Sequence, residues 1–346
     1  MIRIATLLVS LWTIVYGGQF HVQGIAYDSR EDQFVVSFTT SLVKADAVGN
    51  VIASVDRIHG HIGAVTFDPE TRKAYASLEL KDDAIGSAIS KGLGEKAYTK
   101  DNSAFYIAEI DIDRLDRMGM SQDEVITLYP VQDAIRDYRE GRYSCSGVDG
   151  IAIGPKPGKL KGEKFLYVAY GIYGDPERTD NDYNIIVRYD LRNPGVPLEK
   201  YFIYTGSTNW GIQNMTYDPH SGKLLLAVYK GLKPQFPNFD LYSVDMSERP
   251  FRAVLPYPGY SREKIKCLKL SDDGITDPGT GISGWRFKWG STGICALGDG
   301  LFYISENGKD ERGQYSAIRL YVWTGDPASP FSGYTCEGSA PPKAGN

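Results

Sequence analysis

The stretch His21-Val-Gln-Gly-Ile-Ala-Tyr-Asp28 returns four more times along the chain with the same pattern. Each copy has a small or polar start, a small residue near its middle, and then a short apolar run. Internal repetition of a strand-forming unit is typical of folds in which each copy forms one structural unit of an array. The other copies are His61–Asp68, Gly147–Gly154, Gly211–Asp218 and Ser291–Gly298.

Further apolar runs follow each copy and predict about four strands in every unit. The Gly49-Asn50 pair between two of these runs is typical of a tight hairpin. The fifth unit has no fourth run before the chain ends. The predicted second strands are Phe34–Phe38, Ala74–Leu78, Phe165–Ala169, Leu224–Val228 and Leu301–Ser305; the third strands are Leu42–Asp46, Ala104–Asp111, Tyr183–Asp190, Phe239–Asp245 and Ala317–Trp323; the fourth strands are Val51–Val55, Val125–Leu128, Lys200–Tyr204 and Phe251–Leu255.

Four-stranded units that repeat around a ring form a β-propeller, so the sequence predicts an all-β fold with five blades. The spacing between copies is irregular, and a sixth, degenerate blade is an alternative. We expect one domain over residues 1–332, with short helices at 82–92 and 132–139. Residues 333–346 are rich in Gly, Pro and Ser and are predicted to be a disordered tail.

The N-terminus allows two interpretations. Residues 1–17 combine one basic residue with an apolar run of signal-peptide length, which would place the protein outside the cytoplasm, in the periplasm or the medium. Alternatively, Ile4–Ser10 and Trp12–Tyr16 are strands, and an N-terminal strand completes the last blade of a protein that would then be cytoplasmic. The run is too short for a transmembrane helix, so we expect no integral membrane segment.

Composition excludes some classes of partner. The 346 residues have a formal net charge of -5 and no block of Lys and Arg, so we expect no nucleic-acid binding. We expect a monomer with a small-molecule or glycan ligand. The spacing of the four cysteines fits no zinc or redox motif, and they are either disulfide-bonded or free thiols. They are Cys145, Cys267, Cys295 and Cys336.

The long insertions indicate which face of the propeller holds a site. Nearly all of them precede a first strand or join a second strand to a third, and these loops emerge on one face. Insertions on one face of a repeat array usually mark its binding face. Around that mouth we expect His21, Gln23, His61, Asp149, Gln213, Ser291 and Thr292 from the first strands, and Thr39, Glu79, Tyr170, Lys230 and Glu306 from the second strands. Alternatively, these residues cap strands and bind channel water.

Three carboxyl groups from three blades provide candidate catalytic residues. Asp149, Glu79 and Glu306 would serve glycoside hydrolysis, which needs one carboxyl as acid and another as base or nucleophile. His61 is a fourth candidate, and with His21 it forms an acid–base pair, a metal site or a pair of hydrogen bonders. Hard cations also take oxygen ligands, so calcium is the cofactor such a set would hold.

The inserted loops add aromatic and charged candidates for ligand binding. Exposed Trp rings near carboxylates suit a sugar face, whereas the alternative is that these rings pack between blades. The basic residues, which include Lys81, would recognise a uronate, sulfate or phosphate. The candidates are Tyr170, Tyr173, Trp210, Lys230, Trp285, Arg286 and Lys288. Asp180 and Asp182, in an acidic loop over residues 171–183, are candidate calcium ligands.

The repeated phrase resembles the superfamily of bacterial propellers that includes NHL-repeat, gluconolactonase-like and phytase-like proteins. The resemblance covers most of residues 20–325. The five-blade count is also similar to the furanosidase-type glycoside hydrolases, which place three carboxylates at the channel mouth. That resemblance implies that Asp149, Glu79 and Glu306 are the counterparts here.

These observations favour a propeller with one site at the channel mouth, which acts on or binds a carbohydrate or a small anionic ligand. As an enzyme it would be a glycan hydrolase or a lyase. The alternatives are a non-catalytic ligand-binding or surface-interaction propeller and a scaffold for a protein partner. The enzyme hypothesis predicts that Asp149, Glu79 and Glu306 converge and that one carboxyl has a raised pKa. The binding hypothesis predicts an aromatic groove without a convergent acid pair.

Overall fold

A computed structural model describes residues 12–18, 20–257, 259–260 and 262–334. Strand β1 comes first in this part of the chain, and five main sheets follow each other as blades. The strands are β1 Trp12–Tyr16; β2 Val22–Asp28, β3 Gln33–Phe38, β4 Ser41–Asp46 and β5 Val51–Val55 in blade 1; β6 His61–Asp68, β7 Lys73–Leu80, β8 Ala104–Asp111 and β9 Ile126–Pro130 in blade 2; β10 Cys145–Lys156, β11 Lys159–Ile172, β12 Tyr183–Asp190 and β13 Asn193–Tyr204 in blade 3; β14 Thr208–Asp218, β15 Lys223–Lys230 and β16 Leu241–Asp245 in blade 4; β17 Phe251–Val254, β18 Lys264–Leu268, β19 Ile275–Thr276 and β20 Ser283–Gly284 in the following insertion; and β21 Ile294–Gly298, β22 Leu301–Asp310, β23 Gly313–Trp323 and β24 Phe331–Gly333 in blade 5.

The repeated phrase forms the first, innermost strand of each blade, and these strands lie against one another around the axis. Gly24 approaches the β6 backbone so closely that a Cβ would lie 2.7 Å from the Val65 nitrogen. Gly150 approaches Ile212 and Gly293 approaches Ile25 in the same way. The contact between Gly293 and Ile25 closes the ring between the fifth and the first blades. Small residues near the middle of the phrase are therefore required because larger ones would force the inner strands apart. This arrangement confirms the predicted five-bladed β-propeller.

The last blade is completed from the N-terminus. Strand β1 pairs antiparallel with β23, with Trp12 opposite Arg319 and Tyr16 opposite Tyr315. Strand β24 continues along the same edge of β23, with Phe331 opposite Trp323. Two segments from opposite ends of the described chain thus share the fourth position of this blade. The predicted strand Ile4–Ser10 and the tail after Tyr334 lie outside the described residues.

Blade 4 departs from the prediction. Its expected fourth strand, Phe251–Leu255, forms β17 instead, and β17 pairs with β18. The hairpin joins the outer edge of blade 3, where β18 runs parallel to β13. The edge of blade 4 is occupied by single bridges, Val244 to Leu270 and Leu241 to Trp285. Local apolar pattern predicts a strand correctly here but not its neighbour, because the choice of neighbour depends on long-range contacts.

The helices of the described residues are α1 Ala84–Leu93, α2 Gln122–Val125 and α3 Gln132–Glu140, followed by a 3-10 turn at Arg142–Ser144. Two of these three helices, α1 and α3, lie in insertions on the predicted face, whereas α2 lies in the connection between β8 and β9. Asp83 caps α1 by accepting a hydrogen bond from the Gly86 N–H, and Gly94 ends it in the left-handed conformation. Two of these helices confirm the sequence expectation. No helix in the described part of the chain is long and apolar enough to cross a bilayer.

Candidate functional site

A β-bulge near the start of the first strand aims one side chain of several blades at the channel. Gln23 is the extra residue opposite Ser37 and Phe38 in blade 1, and Gln213 is its equivalent in blade 4. In blade 3 the bulge spans Asp149 and Gly150. A bulge breaks the alternation of a strand and re-aims a side chain, which is why these polar residues sit in an otherwise buried strand. The same repeat position therefore supplies chemically different groups at one level of the channel.

The described structure brings four charged groups and one amide together at the mouth. The Glu79 Oε2 atom lies 3.7 Å from His61 Nδ1 and 4.0 Å from Lys81 Nζ. Its other carboxyl oxygen accepts a 2.7 Å hydrogen bond from the Val148 N–H, next to Asp149. We call His61, Glu79, Lys81, Asp149 and Gln213 the channel-mouth cluster. It joins blades 2, 3 and 4.

Asp149 has an unusual electrostatic environment within this cluster. Its pKa is raised from the ordinary 3.8 to about 7 by burial and by the negative charge of Glu79, which outweigh His61 and Lys81. The Gln213 amide donates a 3.2 Å hydrogen bond to Asp149 Oδ2, and this contact opposes the shift. Asp149 is only partly buried. A carboxyl group that holds its proton near pH 7 is suited to general acid catalysis.

The pKa values of His61 and Lys81, the basic members of the channel-mouth cluster, are both raised. Burial lowers the pKa of His61, but the adjacent Glu79 and Asp149 outweigh burial, and the pKa is raised. The pKa of Lys81 is also raised, because Glu79 and Asp83 more than offset its burial. His21 behaves oppositely: burial and the charge of His61 lower its pKa. The pKa values of the two histidines of the repeat are thus shifted in opposite directions.

Two aromatic rings lie beside Lys81 of the channel-mouth cluster. The Lys81 ammonium lies 5.7 Å from the centroid of the Trp210 ring and 6.0 Å from that of Tyr173. The two rings meet edge to face at 6.2 Å. Trp210 is 45% exposed although it is a large apolar residue, and its backbone is left-handed with a φ of 65°. Strained, exposed residues of this kind concentrate at functional sites.

Gly211 holds Trp210 in place, and its replacement by Ala is expected to destabilise the fold. Its φ is 79°, and an added Cβ would lie 2.4 Å from the Tyr170 carbonyl oxygen. We expect Gly211→Ala to lower the free energy of unfolding by about 1–3 kcal/mol, measured by urea denaturation. The control is Gly92→Ala in α1, where a Cβ meets nothing within 4 Å and about 0.5–1 kcal/mol should be gained. Equal stability of the two variants would contradict the expected strain.

Blades 1, 4 and 5 meet on the other side of the channel. His21 Nε2 lies 3.2 Å from the Asn307 amide, and the Thr292 hydroxyl lies 3.4 Å from Asn307 Oδ1. The buried Asn214 amide donates to the carbonyl oxygens of Gln23 at 2.7 Å and Ser291 at 2.8 Å. Asn214 therefore links three blades and narrows the channel at this level, so a ligand at the mouth meets a polar floor.

Several residues predicted at the mouth lie elsewhere. The Glu306 carboxylate accepts hydrogen bonds from Tyr321 at 2.6 Å and pairs with Arg319 at 3.2 Å, both within its own blade. Tyr170 is fully buried, and its hydroxyl donates to Asp137. Trp285 is fully buried against Trp323. Successive strand residues point to opposite sides of a blade, so a predicted ring of strand ends mixes mouth and core positions. The assignments of Tyr170 and Trp285 to ligand binding are therefore corrected.

Three predicted basic residues are exposed, and they contact groups outside the channel-mouth cluster. Lys230 and Arg286 are both within electrostatic reach of Asp240. The Arg286 guanidinium also donates to the Pro237 carbonyl oxygen at 3.1 Å. The Lys288 ammonium lies 4.3 Å from the centroid of the Trp289 ring.

The acidic loop predicted to bind calcium is occupied by cations of the protein itself. Asp180 pairs with Arg178 at 2.9 Å and accepts the Ser144 N–H, and Asp182 pairs with Lys233 at 2.7 Å. Within the described residues no group of three or more His, Cys, Asp or Glu side chains is arranged to hold a metal. Cys145, Cys267 and Cys295 form no disulfide with one another, while Cys336 lies outside the described residues.

Sequence reasoning missed three polar residues at the channel. Asn214 and Asn307 each follow a predicted residue by one position, so an alignment error of a single residue hides them. Tyr229 lies within electrostatic reach of Asp149, and burial raises its pKa. Lys81 was identified only as a positive charge, although its pairing with Glu79 follows from their two-residue separation on one face of a strand.

The opposite mouth of the channel has a different character. A cavity of about 700 Å³ there is lined by residues of all five inner strands, including Ile25, Val65, Ile153, Met215 and Ala296. The β10–β11 hairpin covers one side of it through Leu160. Its lining is mainly apolar, and the polar chemistry of the channel is concentrated at the mouth with the long insertions.

No protein-family model and no curated protein sequence matches the chain. The chain is similar to several solved structures. One is the β-propeller domain of Cps50 (Swd1) from Myceliophteria thermophila, with 15% identity and a TM-score of 0.32. That alignment covers 60% of this chain and 51% of the Cps50 domain, so the chain spans about half the length of that domain. A functionally unknown protein from Desulfotomaculum acetoxidans is 13% identical over 89% of this chain and 72% of its own, with a TM-score of 0.39. The soluble aldose sugar dehydrogenase of Escherichia coli is 12% identical over 89% and 99%, with a TM-score of 0.38. These scores are all low, and the assignment of the chain as a five-bladed β-propeller follows from its own strand order.

Proposed function

We propose that the channel-mouth cluster is an active site that performs acid–base chemistry on a carbohydrate or a small anionic ligand, as a glycan hydrolase or a lyase. The observation that supports this most directly is the raised pKa of Asp149, which is about 7. The Asp149 carboxyl group lies close to the negative charge of Glu79 at a partly open channel mouth. A carboxyl group that keeps its proton near neutral pH is a usual general acid in such reactions.

Each member of the cluster has a role in this proposal. In hydrolysis, protonated Asp149 donates its proton to the leaving oxygen as the bond between that oxygen and the sugar carbon breaks. Water from the channel adds to the carbon, and the proton that the water loses returns to the Asp149 carboxylate, which the Gln213 amide orients. His61 is more exposed than Glu79 and interacts electrostatically with both Asp149 and Glu79. Glu79 stabilises the protonated form of His61. Lys81 neutralises negative charge on the ligand, and the exposed Trp210 face stacks on a sugar ring.

A non-catalytic ligand-binding propeller is the second candidate. The observation that favours it is the burial of Glu79, which is 5% exposed and engaged by Val148. A carboxylate so enclosed would support the ligand-binding groups rather than reach a substrate atom. In that case the same mouth would hold the same ligand without turnover.

A ligand panel separates the two candidates. Neutral oligosaccharides, uronate oligomers and sugar phosphates would be titrated while the intrinsic fluorescence is followed, and the products would be assayed for new reducing ends and for unsaturated sugars. The matched variants are Trp210→Phe, which should remove the fluorescence change, and Trp12→Phe, which alters a ring that is 53% exposed in blade 5 and should keep it. Saturable binding with turnover supports the enzyme, and binding alone supports the second candidate. If no ligand of the panel causes a change that depends on Trp210, the proposed ligand class is wrong.

A further inference from the structure

A second cleft lies at the outer edge of blade 3, away from the inner strands. The cleft forms where β18 separates from β13. The two strands pair at two positions only, Phe202 with Cys267 and Ile203 with Leu268. Helix α3 and the 3-10 turn close its other side. The cleft has a volume of about 360 Å³. A water molecule takes up about 30 Å³ in the liquid, so the space is far larger than a single small ion requires.

The side chains around this cleft carry an excess of positive charge, although the chain has a net charge of -5. Six cationic side chains line it against two carboxylates, Glu199 and Glu263. Helix α3 adds Asp133 and Asp137, which pair with two of the cations. The cations are Arg136, Arg142, Lys200, Arg252, Lys264 and Lys266.

Two of these cations are held in fixed positions. The Arg142 guanidinium donates to both oxygens of Glu263, at 3.0 and 2.9 Å, and its centre lies 4.6 Å from the centroid of the Tyr143 ring. Lys200 donates at 2.6 Å to Asp137, which is fully buried. An arginine fixed by a carboxylate and an aromatic ring retains further N–H donors, and those donors are pre-organised for an oxyanion.

Two other cations have no partner in the described part of the chain. Arg252 and Lys264 lie on the β17–β18 hairpin, and both are exposed. Arg252 is directly opposite Lys266 in the ladder, and Lys264 lies two residues before Lys266 on the same face. Glu199 pairs with Lys266 and offsets its charge, whereas no such partner offsets Arg252 or Lys264 within the described residues. An anion bound between Arg252 and Lys264 would supply the partner that both of them lack.

The backbone beneath the cleft is also strained. Tyr143 and Ser144 both adopt the left-handed conformation with a φ of 54°, although neither is glycine. The Tyr143 ring is buried and stacked on Tyr260 at 5.2 Å, which holds this conformation. Strain of this kind persists where surrounding contacts impose it, and it is concentrated at binding sites.

We propose that this cleft binds a multiply charged oxyanion of the phosphate or sulfate type, through Arg142 and Lys200 at its floor and Arg252 and Lys264 at its rim. The site is distinct from the channel-mouth cluster and shares none of its residues. It depends on the displaced hairpin, because Arg252 and Lys264 would lie on blade 4 if β17 had completed that blade.

Isothermal titration calorimetry of the full chain with inorganic phosphate, sulfate and pyrophosphate tests the proposal. We expect one saturable site, tightest for pyrophosphate, with an affinity that falls as NaCl is added. The double variant Arg252→Gln/Lys264→Gln should bind about tenfold or more weakly, since two charge-assisted contacts are lost. The ratio of phosphate to sulfate affinity identifies which oxyanion the site prefers.

Three control variants test whether the effect is specific to the rim charges of this cleft. The variant Lys96→Gln/Lys309→Gln removes the same charge from exposed positions elsewhere and should bind normally. Exchange of the rim residues, Arg252→Lys/Lys264→Arg, keeps the charge and should retain most of the affinity. Asp149→Asn should leave the pyrophosphate affinity of this cleft unchanged, so failure of the active-site proposal leaves this one intact. The proposal is overturned if none of the three anions saturates at millimolar concentration, or if the rim double variant binds as tightly as the unaltered protein.

Discussion

Val15→Asp is expected to destabilise the protein strongly and to lower the urea concentration at which it unfolds. Val15 has no exposed surface, and it lies in the core of the last blade, opposite Ser316 of β23. A carboxylate at this position would lose its hydration without gaining a partner, at an expected cost of about 3–5 kcal/mol. A typical domain is stable by only about 5–15 kcal/mol. The ring also loses its closing strand, so the loss affects blade 5 as a whole.

The measurement is urea denaturation followed by tyrosine and tryptophan fluorescence. Val48→Asp is the matched control, because Val48 is 70% exposed in the turn after β4 and its replacement should change the stability by less than about 0.5 kcal/mol. Closure of the propeller by β1 would be contradicted if Val15→Asp unfolded at the same urea concentration as the control.

Asp149→Asn is expected to reduce kcat by about 10²–10⁴-fold on the substrate that the ligand panel identifies. The amide has nearly the same shape but cannot donate a carboxyl proton. In the unaltered protein the rate should fall as the pH rises above about 7, because the acid then loses its proton. The variant should lack this decrease. Asp299→Asn is the control, since Asp299 lies in the β21–β22 turn with a φ of 52°, a conformation that asparagine tolerates.

The same variant tests the raised pKa of Asp149 without any substrate. The folded state binds the Asp149 proton up to about pH 7 and the unfolded state only up to about pH 4. Between these values the folded state holds more protons, so the free energy of unfolding should fall as the pH rises. One pKa unit corresponds to about 1.4 kcal/mol, and partial exposure reduces the effect to about 1–2 kcal/mol in total. Asp149→Asn should abolish this slope, and an unchanged slope would refute the assignment.

Much of the fold was predictable because its determinants are local. The five phrases form the five inner strands, and the tight turns, such as the one between Asp28 and Gln33, join first strands to second strands as predicted. Apolar alternation, glycine and turn residues act within a few positions of one another. The requirement for small residues near the middle of the phrase has an inter-blade cause, but it leaves a local mark in every copy, which is why the sequence shows it.

The fourth strands were less predictable because a strand edge accepts more than one partner. Phe251–Val254 has the expected strand pattern but belongs to blade 3, through a hairpin with β18. Blade 5 is completed by Trp12–Tyr16 together with Phe331–Gly333. Such choices depend on contacts between segments far apart in sequence, which no local pattern records.

The sequence alone determined which positions repeat, which face has the long insertions, and that Asp149, Glu79 and His61 belong near one mouth. Only the tertiary structure decided that Glu306 pairs within its own blade while Lys81 completes the cluster. It also decided that the pKa of Asp149 rises to about 7, because that shift depends on burial and on the charge of Glu79 in a neighbouring blade. Repetition is a property of the chain, whereas electrostatic coupling depends on distance, and distances between blades exist only in the folded protein.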